Sequence, residues 1–277
     1  MAARRRLDAE MVRRNLVGSR QLARDEIEQG RVLVDGAPAL KPARLVDPAQ
    51  DVRLLGPPPR YVSRAGLKLE VALDQFGIDP AGWRCLDVGA STGGFTDCLL
   101  ARGAAQVFAV DVGTHQLHER LRADERVHVH EQTDIRTVTP ELVGGTVDLI
   151  VADLSFISLR LVLESLASLA VGSPILALVK PQFEAGRAEA SRGRGVIRDP
   201  EIWRRVLGEV VGAAAELGLA FRSIAVSPIT GSAGNVEFIV WLESGRSNLG
   251  EIGADADPAW IEEMLTNVVA KAEARSQ

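Results

Sequence analysis

Only two cysteines, Cys85 and Cys98, occur in 277 residues. Both fall in apolar contexts and build no disulfide framework, so two reduced core thiols are expected. No metal site is expected. Long apolar runs are also missing. The longest uncharged stretch, Ser165–Val179, has 15 residues and contains Pro174, whereas a membrane-spanning helix needs ~20. The basic start MAARRRLDAEMVRR is followed by no apolar segment, so it does not read as a signal peptide. Internal repeats and low-complexity tracts are absent. Together these absences leave a soluble cytoplasmic protein as the expectation.

What is present suits a sizeable core. The chain is 46% apolar, and its length leaves room for two domains. Net charge is −5, unevenly spread: residues 1–60 carry 12 Lys and Arg against 8 Asp and Glu, which leaves 20 against 29 for residues 61–277. A basic N-terminal module on an acidic body points to a small domain that meets a polyanion.

The first sixty residues read as a compact α+β unit. Helical spacing appears in Leu7–Asn15 and in Ser19–Gln29, with Ser19 as N-cap and Gly30 as stop. RVLVDG then alternates and turns at Asp35-Gly36, and a second extended piece lies near Asp51–Leu55. Gly56-Pro57-Pro58-Pro59 is stiff, since each proline fixes φ and removes a donor. The domain boundary is expected there: residues 1–59, a linker at 60–63, a body at 64–243 and a C-terminal extension at 244–277 with a helix near 258–274. In the body a helix over Arg64–Phe76 precedes strands at 84–89, 106–111, 127–131, 147–152 and 174–180, with a helix at about Pro200–Leu217. Strands alternating with helices imply a Rossmann-like α/β fold, a mostly parallel sheet covered on both faces. Strands at 220–227 and 235–242 lie close together and are expected to pair antiparallel.

CLDVGASTGGFTD, residues 85–97, is a strand, a glycine turn and a helix start. Gly89, Gly93 and Gly94 allow a tight bend and a close approach to a ligand. The spacing is G-x-x-x-G-G rather than the dinucleotide G-x-G-x-x-G, and no Lys-Ser/Thr pair makes a phosphate loop. The second strand ends in Asp111, an acid placed to hold a ribose diol, and Asp134 follows the third strand, placed to face an adenine edge. Backbone amides and a ribose-binding acid without a pyrophosphate cradle suit S-adenosylmethionine. The expected cofactor residues are Asp87, Gly89, Ser91, Gly93, Phe95, Thr96, Asp111, Asp134 and Asp153.

Four charged residues sit badly in their surroundings. ILALVKPQ ends an apolar strand with Lys180, and LIVADLSFIS ends the preceding strand with Asp153. Open α/β sheets hold ligands at such carboxyl ends. Glu237 interrupts the apolar strand GNVEFIVWL, and Lys68 flanks the apolar face of the helix before the first strand. Buried charges are costly unless paired. Two lysines and two carboxylates therefore suggest one mutually compensated cluster.

The N-terminal pattern RLD…GSRQLARDEIEQGRVLVDG…KPA resembles the RNA-binding domain of ribosomal protein S-four. The body, with LDVGASTGGFTD, VADLSFIS, LVKPQFEAGR and SPITGSAGNVEF, resembles the TlyA family of ribosomal RNA 2′-O-methyltransferases, whose catalytic domain is of the FtsJ type. The match covers roughly residues 4–243. It implies a catalytic Lys-Asp-Lys-Glu tetrad, which motif matching places on Lys68, Asp153, Lys180 and Glu237. It also implies S-adenosylmethionine as cofactor, cytidines in ribosomal RNA as target, and a cofactor-sensing role for the segment Arg60-Tyr61-Val62-Ser63. Lys180 is the candidate to accept the hydroxyl proton, Asp153 and Glu237 to orient the lysines, and Lys68 to hold the hydroxyl or a phosphate. The arginine-rich start and the extended tail favour the RNA of both ribosomal subunits as substrate.

The expected phosphate contacts are Arg4, Arg6, Arg14, Arg20, Arg24, Lys41, Arg64 and Arg187, with Arg5 and Arg13 beside them. Residues 186–199, glycine-rich and basic, are expected to form a mobile loop that closes on RNA. The protein should work as a monomer or a weak dimer, without a membrane. Two competing readings are a pore-forming cytolysin, because relatives have carried the name haemolysin, and an RNA-binding protein with an inactive methyltransferase fold.

Overall fold

A computed structural model describes residues 4–231, 233–244 and 257–276. After a two-residue strand, Arg5–Arg6, that pairs with Leu45–Val46, come two helices, α1 (Leu7–Arg13) and α2 (Arg20–Glu28). The Ser19 side chain accepts the Leu22 amide and caps α2, and Gly30 turns away with φ +71°. Strands β1 (Val32–Val34) and β2 (Val52–Leu54) pair antiparallel. The hairpin after β1 turns through Asp35 (φ +51°) and Gly36 (φ +79°), two left-handed residues that match the strand twist. Leu7, Met11, Leu22, Ile27, Val32, Val34 and Val52 fill a separate small core.

The body is a seven-stranded sheet. In chain order it comprises α3 (Ala65–Phe76), β3 (Arg84–Val88), α4 (Gly94–Ala101), β4 (Gln106–Val110), α5 (Glu119–Arg122), β5 (Val127–His130), β6 (Leu149–Ala152), α6 (Leu163–Leu169) and β7 (Pro174–Val179). Then follow α7 (Pro181–Glu184), α8 (Arg187–Arg192), α9 (Pro200–Glu216), β8 (Leu219–Val226), β9 (Phe238–Ser244) and α10 (Pro258–Ser276). The strand order is β8-β9-β7-β6-β3-β4-β5. β9 runs antiparallel to both of its neighbours, and the other strand pairs are parallel.

Every residue of β6 (LIVA) and β7 (PILALV) is buried, as expected of parallel strands covered on both faces. Ile150, Ile175, Ala177 and Val179 meet α6, α9 and α10 on one face. Leu149, Val151, Leu176 and Leu178 meet α3 and α4 on the other.

Two expectations change. Glu237 does not lie inside a strand: β9 begins one residue later, at Phe238. The segment read as a loop at 186–199 opens with helix α8, and a turn through Arg194 (φ +51°) and Gly195 (φ +85°) follows it. Its local sequence RAEASR is helix-compatible, and the glycines that suggested a loop lie outside that turn of helix. Of the extension at 244–277, residues 245–256 lie outside the described residues, while α10 packs onto α9 and β8.

Leu265 of α10 is 1% exposed and belongs to the cluster that holds Trp203, Val210 and Phe221. Leu265→Ala should cost about 2–5 kcal/mol, read as a lower urea midpoint. An unchanged midpoint would mean that α10 does not seal this core.

Candidate active site

Strand direction decides what meets what. Gly89, Asp111, Asp153 and Lys180 each directly follow the last residue of β3, β4, β6 and β7, so all four stand at the carboxyl edge of the sheet. β9 runs the other way, with Phe238 paired to Val179. Its start therefore lies at that same edge, and Glu237 arrives beside Lys180. α3 crosses above and contributes Lys68.

The four charges form a line of alternating sign. Lys180 Nζ lies 2.5 Å from Asp153 Oδ1, Lys68 Nζ lies 3.4 Å from Asp153 Oδ2, and Lys68 Nζ lies 2.6 Å from Glu237 Oε2. None of these side chains is more than 15% exposed. Burial penalises each charge, and the neighbours compensate. Burial pushes the Lys68 ammonium down, but the carboxylates of Asp153 and Glu237 outweigh it and hold the group above the usual lysine value. Burial likewise pushes the Asp153 carboxyl up, and the two lysines outweigh it and hold it below the usual carboxylate value. Lys68 thus sits between two carboxylates, whereas Lys180 has one and donates its second hydrogen bond to Ser155 Oγ at 2.9 Å.

Beside this line the glycine turn shapes a second lobe of the cleft. Gly89 has φ +83°, and a Cβ there would meet the Asp153 carbonyl oxygen at 2.7 Å. Gly93 has φ +96°, and a Cβ there would run into Leu117 and Leu121. Asp111 accepts the amides of Ser91 (2.7 Å) and Gly113 (2.6 Å) and lines this lobe with Asp134. Hydrogen bonds from Arg136 hold the Asp134 carboxyl down at about 2. Phe95 and Ser91 also line the cleft. Asp87 and Thr96 lie elsewhere. Both are fully buried beneath the turn, where Thr96 Oγ1 donates to Asp87 Oδ2 at 2.6 Å, and neither lines either lobe.

The N-terminal unit supplies one wall. Gln21 and Asp25 of α2 and Arg64 before α3 line the lobe that holds the tetrad. Arg64 Nε faces Asp25 Oδ2 at 3.8 Å. His118 Nε2 makes a second tie, to the Gly18 carbonyl at 2.7 Å.

The arginines divide into two kinds. Arg6, Arg20 and Arg24 are about half exposed and converge on the fully buried Asp8, at 2.9, 3.1 and 3.4 Å. Burial opposes the charge on Asp8, but these arginines hold its carboxyl well below the usual range. Arg4 and Lys41 are exposed. Arg14 departs from the expectation of a phosphate contact. Its guanidinium bonds Glu10 (2.8 Å) and the carbonyls of Gln50 (2.8 Å) and Pro48 (3.1 Å), which ties α1 to a turn. The side chain of Arg187 lies outside the described residues. Ser155, Gln182, Asp25 and Phe156, which is 91% exposed with φ +66°, line the cleft without having been singled out from the sequence. Ser155 and Gln182, each two residues beyond a tetrad member, could have been found by that offset.

Asp87 Oδ1 is buried without a partner, and burial pushes the carboxyl up to about 7. Its value is raised relative to the unfolded chain, so the stability it contributes is full below about pH 4 and is lost as pH rises through about 7. Asp87→Asn does not titrate. Its melting temperature relative to the parent should therefore climb between pH 5 and 8; a constant difference would refute the shift.

The FtsJ-like methyltransferase family model matches residues 61–244, and the S4 domain model matches residues 5–52. The chain is 50% identical over 246 residues to the 16S/23S rRNA (cytidine-2′-O)-methyltransferase TlyA of Mycobacterium tuberculosis, across 88% of this chain and 91% of that one. It is 41% identical over 181 residues to the 23S rRNA (cytidine-2′-O)-methyltransferase TlyA of Campylobacter jejuni, across 65% and 70% of the two chains. It is also 37% identical over 239 residues to Hemolysin A of Brachyspira hyodysenteriae, across 84% and 98%. A solved structure from Streptococcus thermophilus that bears a hemolysin name superposes with a TM-score of 0.74 at 38% identity, covering 99% of this chain and 98% of that one. Among the described residues no helix is long and apolar enough to cross a membrane. With the two family models covering residues 5–52 and 61–244 and 50% identity to the mycobacterial protein over 246 residues, the chain belongs to the TlyA family of FtsJ-like methyltransferases that carry an S4 domain.

Proposed function

We propose that this methyltransferase transfers a methyl group from S-adenosylmethionine to the ribose 2′-hydroxyl of cytidines in the RNA of both ribosomal subunits, in the cytoplasm. The observation that carries the reading is the line Lys180–Asp153–Lys68–Glu237 at the carboxyl edge of the sheet. In this reading residues 1–59 grip the RNA, residues 64–243 carry the chemistry, and residues 60–63 join them. Cytidine and the choice of both subunits rest on the mycobacterial relative, which is matched over more of its length than the Campylobacter one.

The residues suit the cofactor. Gly89 walls both lobes, whereas Gly93 lines neither and instead makes room for Leu117 and Leu121; Asp111 would hold the ribose diol, and Asp134 would face the adenine. When bound, S-adenosylmethionine supplies a methyl group on a positively charged sulfur, open to attack by oxygen.

The protein's own task is to make that oxygen ready. A 2′-hydroxyl is a weak nucleophile, and its proton must leave as it attacks. Lys180, at the open end of the line with one carboxylate neighbour, takes that proton as a neutral amine, and the ammonium that results is balanced by Asp153. Lys68, locked between Asp153 and Glu237 as a cation, steadies the oxygen and the adjacent phosphate. Asp153 spans the two lysines and sets their spacing. Arg6, Arg20, Arg24, Arg4, Lys41 and Arg64 are the phosphate contacts, which position the RNA without reading its sequence.

Two measurements check the reading. Labelled S-adenosylmethionine with separated ribosomal subunits, followed by nucleoside analysis, should yield 2′-O-methylcytidine. Lys180→Ala should lower the rate by about 10²–10⁴-fold while cofactor affinity holds. Absence of label in every RNA, or a normal rate in the variant, would refute the mechanism. Asp111→Ala should weaken cofactor binding by about 10- to 100-fold in calorimetry; an unchanged affinity would remove Asp111 from the ribose site.

A further inference from the structure

The cleft has two continuous lobes. One, of about 450 Å³, is lined by Asp111 and Asp134; the other, of about 590 Å³, by Lys68, Lys180, Glu237 and Arg64. Gly89, Ser91, Asp153, Ser155 and Phe156 wall both. Gln182 lines the second lobe and not the first, so it stands on the acceptor side of the tetrad rather than the cofactor side.

Its amide oxygen is buried and has no hydrogen-bond partner. The other amides of that lobe are engaged. Gln21 Nε2 donates to Asp25 at 3.1 Å, and Gln116 Oε1 accepts from Ser91 Oγ at 3.2 Å. Asn235 accepts the Ile197 amide at 2.9 Å and donates to the Gly195 carbonyl at 2.8 Å. An acceptor buried without a donor calls for an explanation.

Gln182 is also held firmly. Pro181 restricts the backbone before it, and two residues later the Glu184 carboxylate accepts Ser158 Oγ and the Leu159 amide, both at 2.6 Å. The segment after Lys180 is thereby fastened to the segment after Asp153, which suits a group that must meet a ligand at a set place.

We propose that Gln182 reads the base of the nucleotide being methylated, its Oε1 accepting a hydrogen bond from the exocyclic amino group of cytosine. The inference rests on the methyl-transfer reading above. Cytosine presents an N4 amino donor where uracil presents the O4 acceptor. A uridine in the same pose would oppose one acceptor with another and leave both unpaired, so the site rejects it. Gln182 lies two residues beyond Lys180, so one residue pair meets the two ends of a single nucleotide: Lys180 the sugar hydroxyl, Gln182 the base edge.

The test uses the full chain and ribosomal subunits carrying either the unmethylated target cytidine or a uridine at that position. The wild-type protein should strongly prefer cytidine. Gln182→Met, which removes the acceptor, should shrink the cytidine-to-uridine ratio of kcat/KM by about 10- to 100-fold. Gln182→Glu, which keeps an acceptor, should retain the preference. Calorimetry with S-adenosylmethionine should give the same affinity for all three proteins, since Gln182 does not line the cofactor lobe. A Gln182→Met protein that discriminates as well as the parent would overturn the inference and leave the methyl-transfer reading standing. A wild-type protein that methylates neither RNA would take down both.

Discussion

Everything at the active site hangs on one carboxylate. Asp153 lies between two lysines, 2.5 Å from Lys180 and 3.4 Å from Lys68, in a place too buried to hold any of the three charges alone. Glu237 lies 2.6 Å from the second lysine. The arrangement needs four segments far apart in the chain, and it forms because β6 lies beside β7 while β9 returns antiparallel on the far side of β7. Removing any one member would leave a buried charge uncompensated, which is more costly than losing the pair outright.

The asymmetry of that line gives its ends different work. Lys68 has two carboxylate neighbours and is kept cationic; Lys180 has one and a hydroxyl. A cation that stays charged can hold an oxygen or a phosphate. The same economy appears in the N-terminal unit, where a single buried carboxylate, Asp8, gathers three arginines and fans them towards solvent. The two units meet at the cleft, because α2 contributes Gln21 and Asp25 to the wall opposite the tetrad. Both units thus build the one cavity.

Much of this was legible in the chain. Lys180 and Asp153 stood out because each ends an apolar run where a charge has no business unless it is paired. The Ser19 cap, the Asp35-Gly36 turn and the glycine bend after β3 are local devices, set by residues within a few positions of one another, and they form where the sequence implies. Arg14 misled, because a basic residue in a basic stretch looks like a phosphate ligand until its carbonyl partners, 34 and 36 residues away, are known. Asp87 and Thr96 sit in the right motif yet turn under the bend and bond each other, since alternation along β3 sends Asp87 towards α4 rather than into the cleft.

By itself the sequence determined the fold class, the glycine turn and the caps, and marked four charges out of keeping with their surroundings, because period, turn chemistry and the cost of a buried ion act over short range. Only the tertiary structure decided which lysine lies between two carboxylates, that Glu237 reaches the cleft from the start of an antiparallel strand, that α2 walls the site, and that Gln182 keeps an acceptor unpaired. Those facts depend on strand order and on contacts between residues tens to more than a hundred positions apart, and no local pattern encodes them.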